Sequence, residues 1–410
     1  MPRWITTAAA ITALGVIAPA VQAEPLKIAI IESLSGPQTS TGRLIATAAE
    51  YVIDQTNANG GFNGEPIQVK EYDNAGDTSG AATKFREAAA DGAHVIIQGA
   101  SSAIGGQVTE DVRKHNIRNP DNPIIYINVG AEAMELRGKK CHFHAFHFTT
   151  TAPYRTVPLM QVMSEQGDLG KRVYSINQNY SWGRDMEAAI VDNADRFDYQ
   201  VVDKVLHEVN RIQDFSPFVA RIKSENPDSV ITGNWSNDLL LLMKAVGDAN
   251  LDITFGTIFM DQPGNVANAG DVAEGHYVAH SSNIELLDEA GTEAYKKATG
   301  HYPVFIEPTT LNGVGLFAEA LKKVNFDGGD IDVNEIALAM ENTTFDNGLG
   351  GMHVRKADHQ AVIPIVVSQV ASGVKYPVDG TELGFKPIKT VAGEDAIYPA
   401  QDSCRMRRPK

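Results

Sequence analysis

Short apolar runs alternate with amphipathic stretches along this 410-residue chain, and that alternation leaves few folds open to it. Leu26-Lys27-Ile28-Ala29-Ile30-Ile31 is too short for a helix and ends at Ser35-Gly36-Pro37, so it reads as a buried strand entering a loop. A helical pattern follows from Gly42 to Asn57, then an alternating strand from Ile67 to Tyr72, a helix from Thr78 to Asp91 and a buried strand from His94 to Ile97. The pattern restarts at Arg172 to Ile176, with a helix predicted over Asp185 to Phe197 and strands near Val201 and from Ser229 to Thr232. A helix from Leu316 to Val324 and one long strand from Val362 to Val370 complete it. Strand and helix in turn predict an α/β chain whose parallel sheets carry helices on both faces, and the restart predicts a second sheet. The length also exceeds what one core usually supports.

The start of the chain bears on compartment. Arg3 precedes an apolar run from Ile5 to about Ala18, and Val21-Gln22-Ala23 offers small residues at the −3 and −1 sites, so residues 1–23 read as a secretory signal with Glu24 opening the mature chain. The run is shorter than the ~20 apolar residues that span a bilayer, and no later window is apolar enough to do so. No cysteine follows the cleavage point, which predicts a free rather than lipid-anchored protein. A net charge of −16 argues against nucleic acid or an anionic membrane as partner. Cys141 and Cys404 are the only cysteines, and an oxidising compartment favours pairing them, which would tie the tail to the first half of the chain; two unpaired thiols are the alternative.

Ligands of open α/β sheets sit beyond the carboxyl ends of the strands. That directs attention to the loops Ser33 to Gly42, Gly99 to Gly106, Asn128 to Glu132, Asn177 to Gly183, Gly233 to Asp238 and Met260 to Asn265, which supply hydrogen-bonding and aromatic residues. With these loops in order, the chain resembles the branched-chain amino-acid (Leu/Ile/Val-binding) group of periplasmic solute-binding proteins of ABC transporters, of the type I fold. The shared signposts are Ser35-Gly36-Pro37, Asn59-Gly60-Gly61-Phe62-Asn63-Gly64, Gly99-Ala100-Ser101-Ser102, Tyr180-Ser181-Trp182-Gly183-Arg184-Asp185, Gly233-Asn234-Trp235-Ser236-Asn237-Asp238 and Ala357-Asp358-His359-Gln360. The resemblance implies two Rossmann-like lobes, residues 24–148 plus 280–352 and 149–279 plus 353–395, with a tail at 396–410. Three crossover strands near Phe148, Ala279 and His353 would form the hinge, and solute would bind in the cleft. It further implies a monomeric receptor in the periplasm that delivers a branched-chain or related amino acid to an inner-membrane ABC permease, with no cofactor. A small aromatic carboxylate, an amide or a cationic solute is the alternative cargo.

Carried over by resemblance, Ser102 would hold the solute carboxylate, with Ser101 as the neighbour that could exchange roles. Backbone amides at a helix start suit an anion, although either serine could equally be an ordinary cap. Gly130 would offer a carbonyl and Ala131 an amide, while Glu132 stands where the family has a threonine. A cleft carboxylate would favour an amino-bearing or cationic solute unless it is paired, protonated or turned outward. Tyr180 and Trp235 match aromatic walls, Trp182 reads as core, and Asp261 or Gln262 occupies the place of the family's acid for the solute ammonium. Thr41 stands at an entrance position that is often aromatic, which would admit a bulkier solute, and Phe305 is a weaker candidate for the same pocket.

Two other readings arise. Cys141-His142-Phe143-His144-Ala145-Phe146-His147 contains zinc-ligand types, but on a strand His142 and His144 face one way and His147 the other, so no metal site is expected. An enzyme is disfavoured because there is no Gly-x-Ser-x-Gly, His-Glu-x-x-His or phosphate loop. Asp358-His359 resembles an acid/base pair but lies at the third expected crossover, where a hinge role fits better.

Overall fold

The computed structural model describes residues 24–324 and 330–409, so the segment read as a signal, 1–23, lies outside the described residues. The first sheet is entirely parallel, in the order β2 (Gln68–Asp73), β1 (Lys27–Glu32), β3 (Val95–Gln98), β4 (Ile125–Asn128), β5 (Ala145–His147). The second runs β7 (Gln200–His207), β6 (Arg172–Gln178), β8 (Ser229–Thr232), β9 (Thr254–Thr257), β10 (Tyr277–His280) in parallel, then β13 (Ile365–Ser372) and β14 (Leu383–Val391) antiparallel. A two-strand ribbon of β11 (His353–Val354) and β12 (Ala361–Val362) stands apart. Strands β1, β3, β4 and β8 are buried on both faces, which is why they read as continuous apolar runs.

Most element boundaries fall within a few residues of the sequence pattern, and the exceptions have local causes. The expected strand from Val362 to Val370 is two strands, because Pro364 has no N–H for a ladder and the chain changes partner there. The helix expected over Asp185 to Phe197 is broken at Asn193, whose side chain donates to the Ala189 carbonyl at 2.8 Å; its parts are Ser181–Asp192 and Ala194–Phe197. The late helix begins at Glu307, well before Leu316. Gly313 and Gly315 obscure it in the sequence, yet a Cβ there would lie 2.9 Å from the Phe148 ring and 2.5 Å from the Phe345 ring, so packing demands them.

The chain passes between the sheets after β5, returns after β10 and crosses again between β11 and β13. The first and third passages are knotted together by buried Arg137, which donates to the carbonyls of Ala131, Thr149 and Thr150 and to Gln360 Oε1. Gln360 Nε2 in turn donates to the Thr149 carbonyl at 2.7 Å. Burial away from water pushes the Arg137 guanidinium down to about 10. Asp358 and His359 are not paired with each other. Asp358 takes two hydrogen bonds from Arg355, and His359 Nε2 lies 2.6 Å from Glu341 Oε1.

After β14 the tail returns to the first sheet's side. Cys404 is disulfide-bonded to Cys141, and Arg408 makes a two-pronged contact with the Glu341 carboxylate. Cys141 is therefore engaged, while His142 Nε2 meets the Thr109 carbonyl and His144 Nε2 meets Asn334 Oδ1. The disulfide spans 263 residues of chain, a long loop whose closure restricts the unfolded ensemble. Cys404→Ser is expected to lower the free energy of unfolding by about 2–5 kcal/mol, read from denaturant unfolding. A variant with unchanged stability would mean that the tail anchor is energetically idle.

Candidate functional site

The carboxyl ends of the two sheets face each other, and the loops leaving β1, β3, β4, β6, β8 and β9 line a small chamber. From the first sheet's side come Thr41, Ser101, Ser102, Gly130 and Glu132. Tyr180, Trp182, Trp235 and Phe259 come from the other, and Phe305 and Ile306 close the wall ahead of the helix Glu307–Leu321. The loops after β3 and β4 approach so closely that a Cβ on Gly130 would lie 2.9 Å from the Gly99 carbonyl oxygen, so only glycines fit. Ser101 and Phe305 sit at φ of +74° and +53°, conformations that cost about 1–3 kcal/mol each for non-glycine residues and are held here by the surrounding loops.

One end of the chamber is positive. The helix Ser102–Arg118 begins there with no side chain capping its first amides, which suits an anion. Ser102 Oγ accepts from the Glu132 and Ala133 amides at 3.0 and 3.1 Å, so the hydroxyl braces the β4 loop and retains its own proton for donation. Thr41 Oγ1 is buried and without a partner. The walls are aromatic. Trp235 Nε1 donates to Tyr180 Oη at 2.6 Å and Trp182 Nε1 to the Gly233 carbonyl at 2.8 Å, so both rings are fixed with their polar edges satisfied. Trp182 packs 5.6 Å from Phe259, which meets Phe305 edge-on at 5.7 Å.

Glu132 is the charged residue of the chamber and is 2 % exposed. Its Oε1 accepts from Thr149 Oγ1 (2.6 Å), Thr150 Oγ1 (3.2 Å) and Arg155 Nη1 (3.1 Å). Arg155, reaching from the helix Ala152–Gln166, also donates to the carbonyls of Ile258 and Ala279 and lies over the Phe259 ring. Oε2 of Glu132 has no partner.

Three residues singled out from the sequence are not brought to the chamber. Ala131 has its amide bonded to Asn128 Oδ1 and its carbonyl to Asn128 Nδ2 and Arg137, so nothing is left for a solute. Gln262 clasps the backbone of Ser236 through both ends of its amide. Asp261 turns toward β10, where Oδ2 lies 3.2 Å from His280 Nδ1. His280 Nε2 continues to Ser368 Oγ at 2.8 Å, a serine–histidine–aspartate sequence. Ser368 is fully buried within β13 and takes a hydrogen bond from Asn283, so this network braces the passage after β10. Conversely, Phe259, Ile306 and the wall role of Trp182 were not anticipated. Phe259 lies immediately ahead of the predicted Met260–Asn265 loop, and apolar residues beside a loop give the same signal as core.

Hydrogen bonds join the two sides outside the chamber lining: Ser236 Oγ donates to the Pro37 carbonyl at 3.1 Å, and the Met134 amide to Asp185 Oδ2 at 2.8 Å. With nearly every lining residue buried, the two sheets are closed on each other. Such a closed, aromatic-walled chamber between paired α/β sheets is the mark of a solute-binding protein. The chain belongs to the periplasmic binding protein family, whose model matches residues 25–375. It is 54% identical over 390 residues, 94% of either chain, to a "Leu/Ile/Val-binding protein homolog 4" of Brucella abortus (strain 2308). A leucine-, isoleucine-, valine-, threonine-, and alanine-binding protein from Brucella ovis, in closed conformation, superposes with a TM-score of 0.89 at 53% identity, covering 94% of this chain and all of that one. At 21% identity and a TM-score of 0.77, the solute binding protein of an ABC transporter from Rhodopseudomonas palustris BisB5, in complex with 3,4-dihydroxy benzoic acid, covers 90% of this chain and 98% of its own and shares the fold. No helix among the described residues is long and apolar enough to cross a membrane.

The loop that starts the helix Ser102–Arg118 hangs on one carboxylate. Glu32, fully buried at the end of β1, accepts from the amides of Gly99, Ala100 and Ser33. Loss of water outweighs these bonds and pushes its pKa up to about 8. The folded state then keeps a proton that the unfolded chain releases near 4.5, so the stability due to Glu32 is full below pH 4.5 and lost as pH rises through about 8. Denaturant unfolding between pH 5 and pH 8.5 should show wild type losing more stability than Glu32→Gln; parallel pH profiles would show that Glu32 carries no such proton.

Proposed function

We propose that this protein is the periplasmic solute receptor of an ABC importer, and that it binds a branched-chain or related small apolar amino acid between two lobes. The single observation that carries the reading is the chamber itself. It is closed from both sheets and walled by Trp182, Trp235, Phe259 and Phe305, and its polar end is an uncapped helix amino terminus beside the partnerless Thr41 hydroxyl. A carboxylate suits that end and an aliphatic chain suits the rings. The names of the Brucella relatives point the same way.

In this reading the lobes are residues 24–148 plus 280–352 and 149–279 plus 353–395, the three passages are the hinge, and segment 1–23 is removed on export. Ser101, Ser102, Gly130, Tyr180, Trp235 and Thr41 contact the solute. Solute stabilises the closed form because only there do both walls touch it. A monomer closed in this way is what the inner-membrane permease would recognise, and no catalytic step is involved. The serine of the Ser368–His280–Asp261 network is sealed inside the sheet, which supports a receptor over a hydrolase.

Thermal unfolding of residues 24–410 against the amino acids and small aromatic carboxylates tests the reading, since a ligand of the folded state raises the melting temperature by mass action. Leucine, isoleucine or valine should stabilise and benzoates should not. Trp235→Ala should weaken leucine binding by about 2 kcal/mol through lost ring contact. Stabilisation by an aromatic carboxylate alone would replace the amino acid as cargo.

A further inference from the structure

We infer that the second sheet carries a site for a hard monovalent cation of the sodium or potassium kind, formed by Asp238, Gln178 and Asn210 against the backbone of Trp235. The three residues meet at the carboxyl ends of neighbouring strands. Gln178 closes β6, Asn210 follows β7, and Asp238 lies in the first turn of the helix Ser236–Asp248 that follows β8. Gln178 and Asp238 are fully buried, and Asn210 is half-buried. One oxygen of Asp238, Oδ2, accepts from Gln178 Nε2 at 2.7 Å and from the Asn210 amide at 2.9 Å. The other, Oδ1, is buried without a partner, and so are Gln178 Oε1 and Asn210 Oδ1. Because both neighbours are bonded to the same carboxylate, the three unpaired oxygens are gathered around it.

Buried oxygens without donors are costly, and rotating the Gln178 amide brings no relief. Its oxygen would then face Asp238 Oδ2 and the Trp235 carbonyl, the two acceptors to which its nitrogen now donates. Burial holds the Asp238 carboxyl above its ordinary range, and no Lys or Arg among the described residues is paired with it. The titratable group that acts on it is His207 at the end of β7, whose ring nitrogens are taken up at Asn234 Oδ1 and the Glu208 carbonyl. A proton on Asp238 would give one donor to two waiting oxygens, whereas a metal ion satisfies all three. A ligand set made only of oxygens selects a hard cation. One carboxylate compensates one positive charge, so a monovalent ion leaves the cluster neutral, and a divalent ion leaves an unpaired charge out of water. Gln178 Nε2 also reaches the Trp235 carbonyl at 3.3 Å, so the ion would brace the loop that presents the indole.

The test is thermal unfolding of residues 24–410 without any solute, so it stands whether or not the receptor reading does. Sodium, potassium or calcium chloride replaces N-methylglucamine chloride stepwise at constant ionic strength, in wild type, Asp238→Asn and Asn210→Ala. Sodium or potassium should raise the melting temperature of wild type saturably, by about 2 °C or more, because an ion bound only by the folded state stabilises by mass action. Asp238→Asn should not respond. In N-methylglucamine chloride it should be at least as stable as wild type, since the new amide nitrogen donates to the waiting oxygens and the amide oxygen keeps the existing bonds. Asn210→Ala, which removes one half-buried ligand, should raise the half-saturating concentration on the order of tenfold, and it decides the matter if Asp238→Asn does not fold. A wild type with the same melting temperature in all four salts, a response to calcium alone, or a folded Asp238→Asn that responds like wild type overturns the inference.

Discussion

A carboxylate from the first sheet's loops and a guanidinium from the second sheet's helix meet out of water, and the chamber is built around that meeting. Glu132 and Arg155 are each less than a tenth exposed, and burying either alone would be prohibitive. Around them the Thr149 and Thr150 hydroxyls, both on the first passage between the sheets, complete the shell of Oε1. The carbonyls of the same two threonines are held by Arg137, which also reaches the third passage through Gln360. The pocket's charged residue and the chain's crossings therefore form one continuous polar network.

Besides the buried Glu132–Arg155 pair, the two sides are joined by Ser236 to Pro37, Met134 to Asp185 and Tyr376 to Glu285, hydrogen bonds of the kind that contribute about 0.5–1.5 kcal/mol each. In the proposed reading, a solute touching both walls adds to these contacts and so favours the closed form. The disulfide-anchored tail runs from β14 back to the first sheet's side behind the passages, so the two halves are also joined by a fourth, covalently fixed strand of chain.

Much of this was legible in the sequence because the fold repeats one physical pattern. Strands buried on both faces announce themselves as apolar runs, and the loops at their carboxyl ends follow from the rule that places ligands there. Thr41, Ser101, Ser102, Gly130, Glu132, Tyr180 and Trp235 come from loops found in this way and meet in one chamber. What was not legible is direction. Nothing in Asp261-Gln262 shows that one side chain turns to a histidine on β10 and the other to the Ser236 backbone, nor that Ala131 spends both backbone groups on Asn128 and Arg137. Trp182 and Phe259 have the composition of core and nonetheless line the chamber. The arginine that pairs with Glu132 lies 23 residues away on another element, and a single sequence carries no sign of such a pair.

The central claim is that solute holds the two halves closed. Small-angle X-ray scattering of residues 24–410 with and without saturating leucine measures this directly. The account predicts a fall in radius of gyration on adding leucine, to the value calculated for the closed arrangement described here. An unchanged scattering profile at a leucine concentration shown to saturate the protein would contradict it.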